Sequence, residues 1–282
     1  MLDKPPGITS AAAVSRVKRL LPTKSKVGHT GTLDPLASGL LVLLIGRATR
    51  LSRYVTHLDK TYTATARLGA LSDTLDAEGE ITRLDTPIPD EDTLRAALPA
   101  FTGDLLQVPP MASAIKVGGQ RLYDLHRRGV SVEREPRSVR IHTLTLTAFD
   151  PHQQTATFEV TCSSGTYVRS LIADLAASLN TGAYLRALRR TTVGHLTLDD
   201  AVPPEALSPN TLHNHIIPMS KVISHLPVVG VDEEGGRVVE SGRALGAEGM
   251  VGSFRVERGG ELLAVYRGDG GVARAEVVLC GG

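Results

Sequence analysis

Apolar positions recur along this chain with two periods, and switches between them sketch its elements. Val14, Val17 and Leu21 fall at helical spacing, with Arg16, Lys18 and Arg19 turned elsewhere. A helix to about Leu21 is expected, capped by Thr9 or Ser10. The short apolar run 40–45 suits a buried strand. Tyr62, Ala64, Ala66 and Leu68 alternate with Thr61, Thr63, Thr65 and Arg67, which is strand periodicity. Asp90 is placed to cap a short helix from Glu91 to about Leu98. Two alternating segments, around Leu144–Ala148 and Ala156–Cys162, flank Asp150-Pro151 and polar residues, so they read as an antiparallel pair. Val168, Leu171, Ile172, Leu175 and Leu179 mark an amphipathic helix ending near residues 180–182. Leu185 and Leu188, three apart, suggest a second helix leading to Arg189. The stretch 208–226 is mostly polar, with prolines at 209, 218 and 227, and a boundary is expected near residue 210. Beyond it, segments 254–257, 262–266 and 272–279, with a Gly259-Gly260 turn, read as a small, mostly β unit.

The 282 residues suffice for one large domain or a large one with a small one. No charge-poor apolar run reaches 18 residues, so no membrane span is expected. The first residues lack the apolar core of a secretory signal. Cys162 and Cys280 form no metal or disulfide pattern, which suits a reducing cytosol. The net charge of +1 hides an uneven distribution. Residues 1–60 hold 10 Lys and Arg against 3 Asp and Glu, residues 61–110 hold 3 against 9, and residues 111–150 hold 7 against 4. A nucleic-acid footprint depends on such local clustering rather than on total charge; solvated helix faces give the same counts.

Against this background one loop stands out. Residues 28–40 read Gly-His-Thr-Gly-Thr-Leu-Asp-Pro-Leu-Ala-Ser-Gly-Leu, with a single carboxylate, Asp34, among glycines and small polar residues. Pro35 biases Asp34 towards extended or turn backbone. Gly28, Gly31 and Gly39 permit positive φ or a close backbone approach. An acid on such a loop beside a basic helix suggests chemistry on a polyanion. An Asp that merely starts an Asp-Pro turn fits the same spacing.

The loop resembles the catalytic motif of the TruB family of tRNA pseudouridine synthases, and four other segments resemble that family's motifs in family order. They are Lys4-Pro5-Pro6-Gly7-Ile8-Thr9-Ser10; Lys60-Thr61-Tyr62 with Arg67-Leu68-Gly69 and Asp73-Thr74-Leu75-Asp76; Cys162 to Leu171, which includes Arg169; and Leu188-Arg189-Arg190-Thr191. The resemblance implies an α+β pseudouridine synthase fold, with a mixed, largely antiparallel central sheet flanked by helices. It implies a catalytic domain over residues 1–210 and a small PUA-like RNA-binding domain over residues 211–282. Residues 113–137 resemble a flexible insertion that grips the tRNA T arm.

The implied activity is isomerisation of uridine to pseudouridine at position 55 of the T loop, with the target base flipped out of its stack. The implied roles are catalytic for Asp34, Tyr62 and Arg169. Asp34 is the nucleophile, Arg169 its counter-charge and Tyr62 the ring that stacks on the base. Without the motif, Tyr62 is as easily a core aromatic and Arg169 an exposed helix arginine. A buried carboxylate needs a cation to stay ionised, and arginine can supply one as a planar fork. The implied substrate-binding residues are His29, which fills the place of the extruded nucleotide, Leu188, which lines the uracil pocket, and Asp76, which contacts RNA or orders a loop. Lys116, Arg121, Arg127 and Arg128 of the insertion join them. His126 stands where the family usually has a small residue.

No metal and no cofactor are expected, because nothing is oxidised, reduced or brought from outside. The partner expected is tRNA, met by a cytoplasmic monomer that needs no protein partner. Three other readings share the scaffold or the base-flipping step: a non-catalytic RNA-binding protein, a base glycosylase, and a guide-RNA-dependent synthase.

Overall fold

The computed structural model describes residues 1–22, 24–113 and 115–280. Its centre is an eight-stranded mixed sheet. The strands run in the order Leu2–Lys4, Ser38–Leu41, Ala183–Val193, Lys60–Leu68, Thr155–Cys162, Arg137–Asp150 and Gly103–Gln107. The short strand Leu196–Thr197 hooks back on Ala183–Val193. Every pairing is antiparallel except that of Ala183–Val193 with Ser38–Leu41. The central strand Lys60–Leu68 alternates buried and half-buried residues along its whole length, as its sequence requires.

Local chemistry sets the helix starts. The Thr9 hydroxyl accepts from Ala12 N at 3.0 Å and opens helix Ser10–Leu20. Asp90 accepts from Thr93 N at 2.8 Å and opens helix Glu91–Ala97. Each cap is worth about 1 kcal/mol. Helix Val168–Ser178 buries Val168, Leu171, Ile172 and Leu175 against the sheet, and the chain leaves it through Asn180 at φ 57°.

Two expectations are corrected. Leu185 and Leu188 lie on a strand, not a helix. A register shift between Leu185 and Ala187 inserts an extra residue, so two inward side chains fall three positions apart and imitate helical spacing. The apolar run 40–45 is not one strand. Ser38–Leu41 belongs to the central sheet, while Leu43–Ile45 pairs with Val27–His29.

The C-terminal region forms a five-stranded sheet around Val251–Arg258, Glu261–Asp269 and Val272–Val278, with helix Glu233–Glu240 packed on it. One apolar cluster joins this sheet to the rest of the chain. Val222, Ile223, Leu262, Val265, Val277 and Leu279 share it with Leu40, Val42, Leu44, Leu51 and Val55. Arg47 and Arg50 donate to the carbonyls of Leu279 and Val278, and the Tyr54 hydroxyl donates to Glu276 at 2.8 Å.

Candidate active site

Asp34 lines a cavity of about 400 Å³ against the central sheet. Thr30 to Leu33, Lys60, Tyr62, Ser163 to Arg169, Leu188 and Arg190 also line it. Strand Lys60–Leu68 supplies Tyr62, strand Ala183–Val193 supplies Leu188, and the first turn of helix Val168–Ser178 supplies Arg169.

The Arg169 guanidinium is 4% exposed and reaches two carboxylates. Its Nη2 lies 3.0 Å from Asp34 Oδ2, and its Nη1 lies 3.2 Å from Asp76 Oδ2. Nη1 also donates to the Thr74 carbonyl at 2.8 Å and Nη2 to that of Ala112 at 2.7 Å. Arg169 therefore meets Asp34 through one nitrogen rather than as a two-point fork, because its Nη1 is turned to Asp76 and Thr74. The Asp34 side chain keeps 37% of its surface accessible, whereas that of Asp76 is 3% exposed behind the arginine. Asp76 also accepts from the Thr74 hydroxyl at 2.7 Å and from Glu78 N at 3.1 Å. The turn that carries Thr74 and Asp76 holds Leu75 at φ 63°, an unusual backbone for a branched residue.

Desolvation pushes the Asp34 carboxyl above the usual aspartate range, Arg169 pulls it back, and Asp76 pushes it up again. Burial wins, so the arginine offsets only part of the cost of keeping this carboxylate charged. Tyr62 is 9% exposed, and burial holds its phenol above its ordinary value. It is therefore neutral at physiological pH and presents a ring to the cavity.

His29 lies outside the cavity lining, on the strand that precedes Thr30. Burial and then Arg190 lower its pKa, which favours the neutral ring, and its Nδ1 has no hydrogen-bond partner among the described residues. In the insertion, Arg127 and Arg128 are exposed. The Arg127 guanidinium lies 5.9 Å from the centre of the Tyr123 ring. The side chains of Lys116 and Arg121 lie outside the described residues. His126 Nε2 is 3.4 Å from Asp73 Oδ2, which ties the insertion to the turn carrying Asp76. Among the described residues no group of three His, Cys, Asp or Glu side chains is placed to hold a metal ion.

Residues that pattern reading passed over hold the Asp34 loop. The Ser10 hydroxyl donates to the Leu33 carbonyl at 2.9 Å and accepts from Leu33 N at 2.8 Å. Fully buried Lys4 donates to the carbonyls of Ile8 at 2.7 Å, Pro5 at 2.9 Å and Pro35 at 3.4 Å. Burial lowers its pKa to about 8, and the same cause takes Lys60 to about 8. Both Lys4 and Ser10 belong to the N-terminal motif, but their partners in the Asp34 loop lie 31 and 23 residues away, beyond any local pattern. Of the loop glycines, Gly39 is the constrained one. It has φ 98°, and a Cβ there would lie 2.2 Å from the Arg190 carbonyl oxygen.

A charged pair lining a sheet-backed cavity, with a neutral aromatic and an apolar side chain beside it, is suited to holding a flat base against a carboxylate. Solved structures titled "Crystal Structure of a Cbf5-Nop10-Gar1 Complex" and "Structure of H/ACA RNP bound to a substrate RNA containing 2'-deoxyuridine" share the fold. Their TM-scores are 0.75 and 0.74 at 24% and 22% identity, over 99% of this chain and 84% of each matched chain. The model of the TruB family pseudouridylate synthase N-terminal domain matches residues 18–168. The tRNA pseudouridine synthase B of Burkholderia lata is 46% identical over 98% of this chain and 88% of its own length. The protein of the same name from Cupriavidus metallidurans is 44% identical over 97% and 89%. This chain belongs to the TruB family of pseudouridylate synthases, and is therefore an isomerase.

Proposed function

We propose that this protein converts uridine to pseudouridine at position 55 in the T loop of tRNA, acting as a cytoplasmic monomer without a protein partner. The observation that carries the reading is the Asp34–Arg169 pair, 3.0 Å apart in a cavity also lined by Tyr62 and Leu188. The reaction breaks the N1–C1′ bond, turns the uracil and joins C5 to C1′. Asp34 supplies the nucleophilic carboxylate. Arg169 opposes the desolvation that would neutralise it. Tyr62 stacks on the flipped base, and Leu188 completes an apolar wall. His29 stands in for the nucleotide removed from the RNA stack. Asp76 acts from behind, by fixing Arg169. Arg127 and Arg128, with Lys116 and Arg121, meet phosphates of the T arm. The relatives' names and the basic balance of residues 1–60 and 111–150 support tRNA as the substrate.

The test is tritium release from a C5-tritiated tRNA transcript by the purified protein alone. Release is expected from wild-type transcript and not from one with cytidine at position 55. Release of free uracil would mark a glycosylase instead, and tight binding with no release a pure RNA binder.

A further inference from the structure

Arg190 is 2% exposed, and among the described residues no carboxylate lies within ion-pair distance of it. A buried cation without an anionic partner is costly unless its donors are satisfied. Here backbone carbonyls satisfy them. Nε donates to the Leu40 carbonyl at 2.8 Å, Nη2 to Gly31 at 3.1 Å and Nη1 to Thr32 at 3.4 Å. Gly31 and Thr32 precede Asp34, and Leu40 follows it. One guanidinium thus spans both ends of the loop that carries the carboxylate.

The backbone adds to the grip. Arg190 pairs with Gly39 on one side and with Tyr62 on the other, and only a glycine fits against its carbonyl at position 39. The strand pairing with Tyr62 fixes where that ring stands relative to the loop. The charge is felt around the cavity, where it depresses the pKa of His29, Lys4 and Lys60. A leucine or methionine of similar length would fill the same space without the cost of a buried charge. Apolar filling therefore does not account for this residue; its donors and its charge do.

We propose that Arg190 is a positioning residue for the isomerisation: its guanidinium clamps both ends of the Asp34 loop while its backbone pairs with the strand of Tyr62, setting nucleophile and base-stacking ring in register. The inference rests on the activity proposed above. Arg169 opposes the charge of Asp34 directly; Arg190 acts through the backbone and never touches the carboxylate.

The test compares Arg190→Met and Arg190→Lys with wild type in single-turnover tritium release over a range of tRNA concentrations, with tRNA affinity and thermal melting measured alongside. The Met variant is expected to lose at least a hundredfold in the saturated rate while its tRNA dissociation constant stays within threefold. The Lys variant is expected to recover part of the rate, because it keeps the charge but reaches fewer carbonyls. A saturated rate within threefold of wild type in a folded Met variant overturns the proposal, and a fully active Lys variant overturns the role of the fork. If Met does not fold, the Lys variant decides alone. Loss of folding in both makes Arg190 a folding residue and overturns its assignment to the reaction. An inactive wild-type protein would instead refute the activity itself, so the two failures are separable.

Discussion

The cavity and the insertion 113–137 use the same residue types under opposite conditions. Around the cavity, Arg169 and Arg190 are almost fully buried, and their donors are spent on named carbonyls and carboxylates. On the insertion, Arg127 and Arg128 stand in solvent. In the low-dielectric cavity each contact is strong and each lost partner is expensive. On the surface the same charges are screened and contribute little to folding. On the proposed function they meet a polyanion, whose counterions are released on binding. On the same reading, the cavity sets the rate and the surface the affinity.

Arg169→Met is the harshest way to test that division. It leaves two carboxylates, Asp34 and Asp76, without the cation they share. Breaking a buried pair costs about 3–5 kcal/mol of stability, and with Asp34 left without its counter-charge the saturated rate should fall by several orders of magnitude. Arg169→Lys should recover only part, because one ammonium cannot serve Asp34, Asp76, Thr74 and Ala112 together. Single-turnover rates at saturating tRNA check both variants, and full activity with Lys would show that this geometry is unimportant.

pH probes the same cavity without a mutation. The folded pKa of Asp34 is raised, so the acid limb of kcat/KM should lie above the ordinary aspartate value of 3.8. The ionised carboxylate costs stability above that raised pKa, and the cost fades as pH falls through it. Lys4 and Lys60 act with the opposite dependence. Their folded pKa values, about 8, lie below the usual 10.5. Between pH 8 and 9 the unfolded chain holds protons that the folded chain has released, so stability should rise on the order of 1 kcal/mol. Denaturant midpoints at the two pH values measure it, and a flat or falling midpoint would contradict the burial of these amines.

The smallest effect belongs to the surface. Replacing Arg127 and Arg128 with Ala should flatten the slope of log K against log salt by about one to two units, if both meet phosphate. The saturated rate should stay within about threefold of wild type. A large loss of saturated rate would place the insertion inside the chemistry.

What the sequence could disclose followed the range of its interactions. Helix starts at Thr9 and Asp90, and the alternation in 60–68, depend on neighbours and were legible. The Asp34 loop was legible because its glycines and its acid are adjacent. Ser10, Lys4 and Arg190 were not, since their bonds to the loop span 23, 31 and about 150 residues. Strand Ala183–Val193 was misread because a bulge gave it helical spacing. The division near residue 210 rests on the polar, proline-bearing stretch there and on the family resemblance. The apolar cluster linking Leu40, Val42 and Leu44 with Leu262, Val265 and Val277 crosses it, and no local pattern announces a core shared over more than 200 residues.

The most direct test of the division between rate and affinity is one saturation experiment with Asp34→Asn beside the Arg127→Ala, Arg128→Ala double variant. Single-turnover tritium release is followed against tRNA concentration, with the dissociation constant measured on the same samples. The expected result is that Asp34→Asn binds tRNA as wild type does and releases no tritium, while the double variant binds more weakly and reaches the wild-type plateau. A plateau for Asp34→Asn within tenfold of wild type would contradict the account.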